Sequence, residues 1–160
     1  MYPVGRLDRD SEGLLILTND NHLKHRVLDP TFKHQRTYLV QVENIPTPEA
    51  IQQLKNGVSF RIKKKAYTSR PAKAKILDHS PNFPERIPPI RVRKNIPTAW
   101  VELSLTEGKN RQVRRMCAAV GFPVLRLIRT QIESLVLGNL EVGGVLQMNK
   151  EEIYEKLKIK

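Results

Sequence analysis

Gly5-Arg6-Leu7-Asp8-Arg9-Asp10-Ser11-Glu12-Gly13-Leu14-Leu15 leads a loop crowded with charge straight into the apolar segment Leu14-Leu15-Ile16-Leu17. A charged loop that runs directly into buried chain sets its carboxylates at the edge of a core rather than in open solvent. Asp8 stands out because it has arginines on both sides in sequence. A carboxylate among fixed cations is held in its charged form and can act as nucleophile or base. Asp10 and Glu12 read as loop-shaping or solvated acids. A metal-dependent nuclease built on Asp8, Asp10 and Glu12 is the rival chemistry that the same cluster suggests.

The chain has 160 residues, which suits one domain spanning 1–160. Lysine and arginine number 28 against 16 acids, a formal net charge of +12, which calls for a polyanionic partner. The cations cluster: Arg61 to Lys75 holds seven with no acid, and Arg86 to Lys94 and Lys109 to Arg115 hold four each, again with none. Three such stretches can line one groove. Cys117 is the only cysteine, which excludes an intrachain disulfide and a thiolate zinc site and fits a reducing, cytoplasmic setting. The four scattered histidines, His22, His25, His34 and His79, suggest no metal site, and no apolar run is long enough for a membrane helix.

Around the Asp8 loop the pattern is mixed α and β. Tyr2 to Val4 reads as extended, Leu14 to Thr18 as a buried strand, and Asn21 to Leu28 as a short helix stopped by Asp29-Pro30. Thr37 to Val42 alternates as a strand, with Tyr38, Val40 and Val42 on one face. Thr47 as cap, Pro48 in the first turn and Gly57 at the stop define a helix over Pro48 to Asn56. Val58 to Phe60, Tyr67 to Ser69, Ala72 to Leu77 and Ala99 to Leu105 read as strands in mostly antiparallel pairing. Ser80 to Pro97, with five prolines among its cations, reads as a long loop. A helix is expected over Asn110 to Val120, then strands over Val124 to Arg129 and Glu133 to Leu137, and a helix capped by Asn149 that ends near Lys158. On a helical wheel Val113, Met116, Cys117 and Val120 form the apolar face of the Asn110 helix. Arg114 borders that face and so is the arginine set for partial burial against a carboxylate, while Arg111 and Arg115 are free to meet phosphates.

Gly5 to Asp20 resembles the catalytic motif of RNA pseudouridine synthases, and Arg36-Thr37-Tyr38-Leu39-Val40 resembles their tyrosine-bearing strand. Glu107-Gly108-Lys109-Asn110-Arg111-Gln112-Val113-Arg114-Arg115-Met116, with Ala118-Ala119-Val120-Gly121, is similar to the arginine motif of the RsuA branch of that family. Pro88 to Trp100 is similar to the RluE-type members, which act on large-subunit ribosomal RNA. The resemblance implies the pseudouridine synthase fold, an α+β mixed and mostly antiparallel sheet with flanking helices and a central basic cleft. It implies isomerisation of uridine to pseudouridine without cofactor or metal. Residue by residue it assigns Asp8 as catalytic aspartate, Tyr38 as active-site tyrosine packing on the target base, and Arg114 as the arginine that pairs with the aspartate. Whether Asp8 attacks sugar or base or removes a sugar proton stays open.

Arg6, Arg9, Lys109, Arg111 and Arg115 are the expected RNA-facing residues. Family members normally carry an N-terminal segment with a lysine-proline motif before the aspartate motif, and many carry an S4-like domain; here the motif starts five residues from Met1, so both are expected to be lacking. A monomer is expected, open to strand exchange if the sheet is left with an unpaired edge. A non-catalytic RNA-binding or ribosome-assembly module is the alternative reading. If about six phosphates are neutralised along single-stranded RNA, log affinity falls against log salt with a slope of about −4, which a salt series of RNA titrations checks.

Overall fold

Alternation along one central strand organises the molecule. The computed structural model describes residues 1–160, with β1 (Tyr2–Pro3), β2 (Glu12–Gly13), β3 (Leu17–Thr18), α1 (Asn21–Leu28), β4 (Arg36–Glu43), α2 (Pro48–Asn56), β5 (Ser59–Ile62), β6 (Lys65–Thr68), β7 (Lys73–Ile76), β8 (Thr98–Leu105), α3 (Gln112–Ala119), β9 (Val124–Ile132), β10 (Leu135–Val136) and α4 (Lys150–Leu157). The main sheet runs in the order β10-β9-β4-β8-β7, and β2 joins it beside β9 as its one parallel pairing. Across β4, Tyr38 and Val40 face Leu103 and Val101 of β8 and Arg129 and Leu127 of β9. Tyr38, Val40 and Val42 therefore share the inward face, as their spacing predicts.

Two apolar clusters lie along the sheet. The first joins Val40, Val42, Val101, Leu103, Leu105 and Leu127 to Ile51 and Leu54 of α2 and to Val113, Met116 and Cys117 of α3. The second joins Leu23 and Val27 of α1, Leu157 of α4, Ile132, Leu135 and Ile159 to Val4, Leu14 and Ile16. The Asp8 loop thus departs from the second cluster at Val4 and returns to it at Leu14, while α3 stands on the first. Strand β9 belongs to both, through Leu127 and Ile132.

Caps form where the sequence places them. Asp20 accepts from the backbone N–H groups of His22 and Leu23, Thr47 from that of Ala50, and Asn149 from that of Glu152. Edge strand β7 turns exposed Lys73 and Lys75 outward, and charge of this kind discourages pairing with another chain.

Several boundaries differ from expectation: β9 runs past Arg129 to Ile132, Glu133 and Ser134 form the turn before β10 instead of its first residues, and two further differences lie beside the Asp8 loop and at α3. Only Leu17–Thr18 of the expected Leu14 to Thr18 strand forms a ladder, with Tyr2–Pro3. Leu14 and Ile16 are buried and Leu15 and Leu17 exposed. Their backbone bonds are split, because Leu14 N–H donates to the Arg129 carbonyl and the Ile16 carbonyl accepts from Val4 N–H. The segment is extended chain shared between two neighbours. The expected Asn110 helix starts later, at Gln112, because Arg111 takes a left-handed backbone (φ 50°) and the Gln112 side chain closes the preceding turn. Gln112 accepts from Lys109 N–H at 3.0 Å and donates to buried Glu107 at 3.0 Å.

Leu103 is fully buried between its cross-strand partners Tyr38 and Ala74. Leu103→Ala is expected to destabilise the fold by about 2–5 kcal/mol, read as a lower urea midpoint with unchanged slope.

Candidate active site

Strand β9 grips the downstream end of the Asp8 loop. Glu12 and Gly13 pair with Ile128 and Arg129, and the backbones come so close at Gly13 (φ 115°) that a Cβ there would sit 2.2 Å from the Arg129 carbonyl oxygen. Only glycine fits this approach. Leu14 N–H donates to the Arg129 carbonyl at 2.9 Å, and the Arg129 guanidinium donates back to the Leu14 carbonyl at 2.9 and 2.7 Å. On the upstream side the Asp8 carbonyl accepts from Ser11 N–H at 2.9 Å, which folds Asp8 to Ser11 into a tight turn.

Arg111, Arg114 and Arg126 also engage the loop. Arg111 makes a fork with the Asp10 carboxylate at 3.0 and 2.9 Å, and its Nη1 lies 3.7 Å from Asp8 Oδ2. Arg114 donates to the Asp10 carbonyl at 2.9 Å and to Ser11 Oγ at 3.3 Å, and lies 3.5 Å from the Asp10 carboxylate. Arg126 forks onto both Glu12 oxygens at 2.8 Å. Hydrogen bonding from Arg111 pulls the Asp10 carboxyl down to about 2 against the opposing effect of burial, with Arg114 adding its charge. Burial lowers the Arg114 pKa, partly countered by Asp10, whereas the Asp10 bond raises that of Arg111.

The expected pairing of Arg114 with the Asp8 carboxylate is corrected by this arrangement. No ion pair joins them; Arg114 holds the backbone of the loop, and Arg111 is the guanidinium beside Asp8. Arg111 takes its left-handed backbone immediately before α3, and from there its side chain forks onto Asp10 and reaches Asp8. Arg114 is nevertheless the buried member, its side chain 13% exposed against 40% for Arg111. Asp10 and Glu12 shape the loop, as expected: each takes a guanidinium fork, and Arg111 stands against both Asp10 and Asp8. The three acids do not group closely enough to hold a metal ion, which is the arrangement the nuclease reading needs.

Tyr38 is half-buried on β4 between Leu103 and Arg129 and packs on the first cluster. Arg6 and Arg9 are exposed and make no ion pair. Lys109 lies over the Tyr67 ring at 4.7 Å, and Arg115 donates to the Asn110 side chain and to the Asn110 and Arg61 carbonyls. Arg115 thus braces β5 against α3. Arg126 and Arg129 escape a reading for phosphate contacts because they lie inside an apolar strand. Their presence in Val124-Leu125-Arg126-Leu127-Ile128-Arg129 is itself the available signal, since a buried guanidinium requires partners.

The mixed, mostly antiparallel sheet with its four helices is the fold of a pseudouridine synthase. A crystal structure of a pseudouridylate synthase superposes with a TM-score of 0.77 and 33% identity, covering 97% of this chain and 58% of that one. The family profile described as RNA pseudouridylate synthase matches residues 1–119, and the chain belongs to this family of RNA isomerases. A Xanthomonas axonopodis pv. citri protein named Ribosomal large subunit pseudouridine synthase E is 53% identical over 132 residues, which are 82% of this chain and 67% of the relative. The Vibrio parahaemolyticus protein of the same name is 46% identical over 143 residues, 89% of this chain and 58% of the relative. The chain thus spans part of the length of the relatives it matches.

Asp10 is an acid whose folded pKa lies below its unfolded value of about 4, so its ion pairs stabilise the fold above that value and are lost as pH falls toward about 2. A carboxyl NMR titration is expected to show the depressed midpoint, and Asp10→Asn to flatten the stability curve between about pH 4 and about pH 2.

Proposed function

We propose that this chain isomerises a uridine of large-subunit ribosomal RNA to pseudouridine in the cytoplasm, with Asp8 as the catalytic carboxylate. One observation carries the assignment. Of the three loop acids, Asp10 and Glu12 are each bound by a guanidinium fork, whereas the Asp8 carboxylate makes no hydrogen bond, has only Arg111 at 3.7 Å, and is 32% exposed. The loop is built around an acid that it leaves uncommitted. The names of the relatives support the choice of RNA.

The reaction breaks the bond between uracil N1 and the ribose, turns the base and rejoins it through C5. Asp8 serves the bond-breaking step, as nucleophile or as base toward the sugar; both routes begin from its free oxygens. Arg111 lies beside it at 3.7 Å, and Arg114 acts as the positioning residue that fixes the loop through Asp10 and Ser11. Tyr38 offers a ring for the detached base and a hydroxyl for the proton that leaves C5. A uridine inside a helix is out of reach, so the enzyme flips its target at a cost of a few kcal/mol or takes one from a loop. Cations facing solvent at Arg6, Arg9, Lys109 and the Lys63-Lys64-Lys65 tip offset that cost through phosphate contacts in a basic cleft. Arg111 and Arg115 contribute charge to the same surface while holding the fold.

Mass-spectrometric mapping of pseudouridine after incubation with large-subunit ribosomal RNA tests the proposal. Asp8→Ala is expected to lower turnover by about 10³-fold or more and leave RNA affinity within about twofold. RNA binding by the parent chain with no pseudouridine formed supports the non-catalytic module instead.

A further inference from the structure

The proline-rich segment between β7 and β8, residues 77–97, has no part in the chemistry above, yet it is fastened to the Asp8 loop at two points. The Pro84 carbonyl accepts from Arg126 Nη2 at 2.8 Å, and the same nitrogen donates to Glu12 Oε1 at 2.8 Å. Arg86 Nη1 donates to the Asp10 carbonyl at 3.2 Å, the atom that Arg114 also binds, while Arg86 Nε donates to the Pro88 carbonyl at 3.0 Å. Arg93 pairs with Glu43 at the end of β4 and anchors the far side of the segment. Arg91 and Lys94 remain exposed with no ion pair. The segment therefore has a fixed inner side on the Asp8 loop and an outer side suited to phosphates.

Arg126 is the link that matters most. It is buried on β9, and its planar fork satisfies a carboxylate and a carbonyl of two different loops at once. A lysine ammonium keeps the charge but cannot reproduce that planar geometry. Glu12 has no other hydrogen-bond partner for its carboxylate, so loss of the fork frees both the acid and Pro84.

We propose that Arg126 is a positioning residue that couples the proline-rich segment to the Asp8 loop, so that a phosphate backbone held by Arg91 and Lys94 sets Asp8 for turnover. The coupling rests on the RNA reading above, and it predicts a signature that simple binding does not. Arg126→Lys is expected to retain the parent's circular dichroism and to bind a large-subunit ribosomal RNA fragment within about threefold, while kcat falls about 10- to 100-fold and KM is little changed. Hydrogen exchange supplies the second readout. In the parent, RNA is expected to slow exchange at 77–97 and at 8–13 together; in Arg126→Lys it slows only the former. Glu12→Gln, which keeps an acceptor for Arg126 but removes the charge, is expected to show a smaller loss of the same kind and serves if Arg126→Lys does not fold.

Unchanged kcat with joint protection retained in the variants overturns the coupling, and so does a rise in KM alone. If the parent binds RNA and forms no pseudouridine, yet joint protection is lost on substitution, the coupling stands and the isomerase reading fails. If the parent isomerises uridine and RNA never protects 8–13, the coupling fails and the isomerase reading stands.

Discussion

The parallel seam between Glu12-Gly13 and Ile128-Arg129 is the contact on which the site depends. Every other strand pairing in the molecule is antiparallel, and this one brings backbone against backbone so closely that a side chain at position 13 has no room. Arg129 closes the seam from both directions, with its carbonyl accepting from Leu14 and its guanidinium donating to it. Because β9 contributes to both apolar clusters, the seam ties the loop to the whole core. The entropy of ordering a charged loop, of order 1–2 kcal/mol per residue for the backbone, is offset by these bonds and by the burial of Val4 and Leu14 at its two ends.

Upon that support, charge is distributed with a clear division of labour. Guanidinium groups from α3, the residue before it and β9 bind carbonyls and the two structural acids of the loop and leave one carboxylate without a hydrogen bond. Arginine suits this duty because its planar fork binds two acceptors together and keeps its charge when partly buried. Other exposed cations stand at the tip between β5 and β6, in the proline-rich segment and before α3, among them Lys63, Lys64, Arg91, Lys94 and Lys109. The cationic excess therefore includes arginines that build the loop and lysines and arginines left facing solvent.

Much of this was legible in the residues. Tyr38, Val40 and Val42 share a face as their alternation requires; Thr47 and Gly57 bound α2, and Asn149 caps α4. Of the expected buried strand over Leu14 to Thr18 only Leu14 and Ile16 turn inward, and its backbone bonds are divided between Val4 and Arg129, a division set by distant strands that no local pattern encodes. The wheel picked out Arg114 as the buried arginine of α3 but not its partner, because the left-handed turn at Arg111 brings a different guanidinium to Asp8. Arg126 and Arg129 looked like residues of an apolar strand until their acceptors, more than a hundred residues away, were in place.

By itself the sequence determined the family, the order of the elements, the inward face of the central strand and the helix caps, because motif identity, periodicity and capping are local properties of the chain. Only the tertiary structure decided which arginine meets which acceptor and which segment braces the Asp8 loop. Those pairings depend on where an arginine side chain, roughly 6–7 Å long, can reach once β9, α3 and the proline-rich segment have converged, and that convergence is set by burial of the two clusters, about 25 cal/mol per Å² of apolar surface, rather than by the charges themselves.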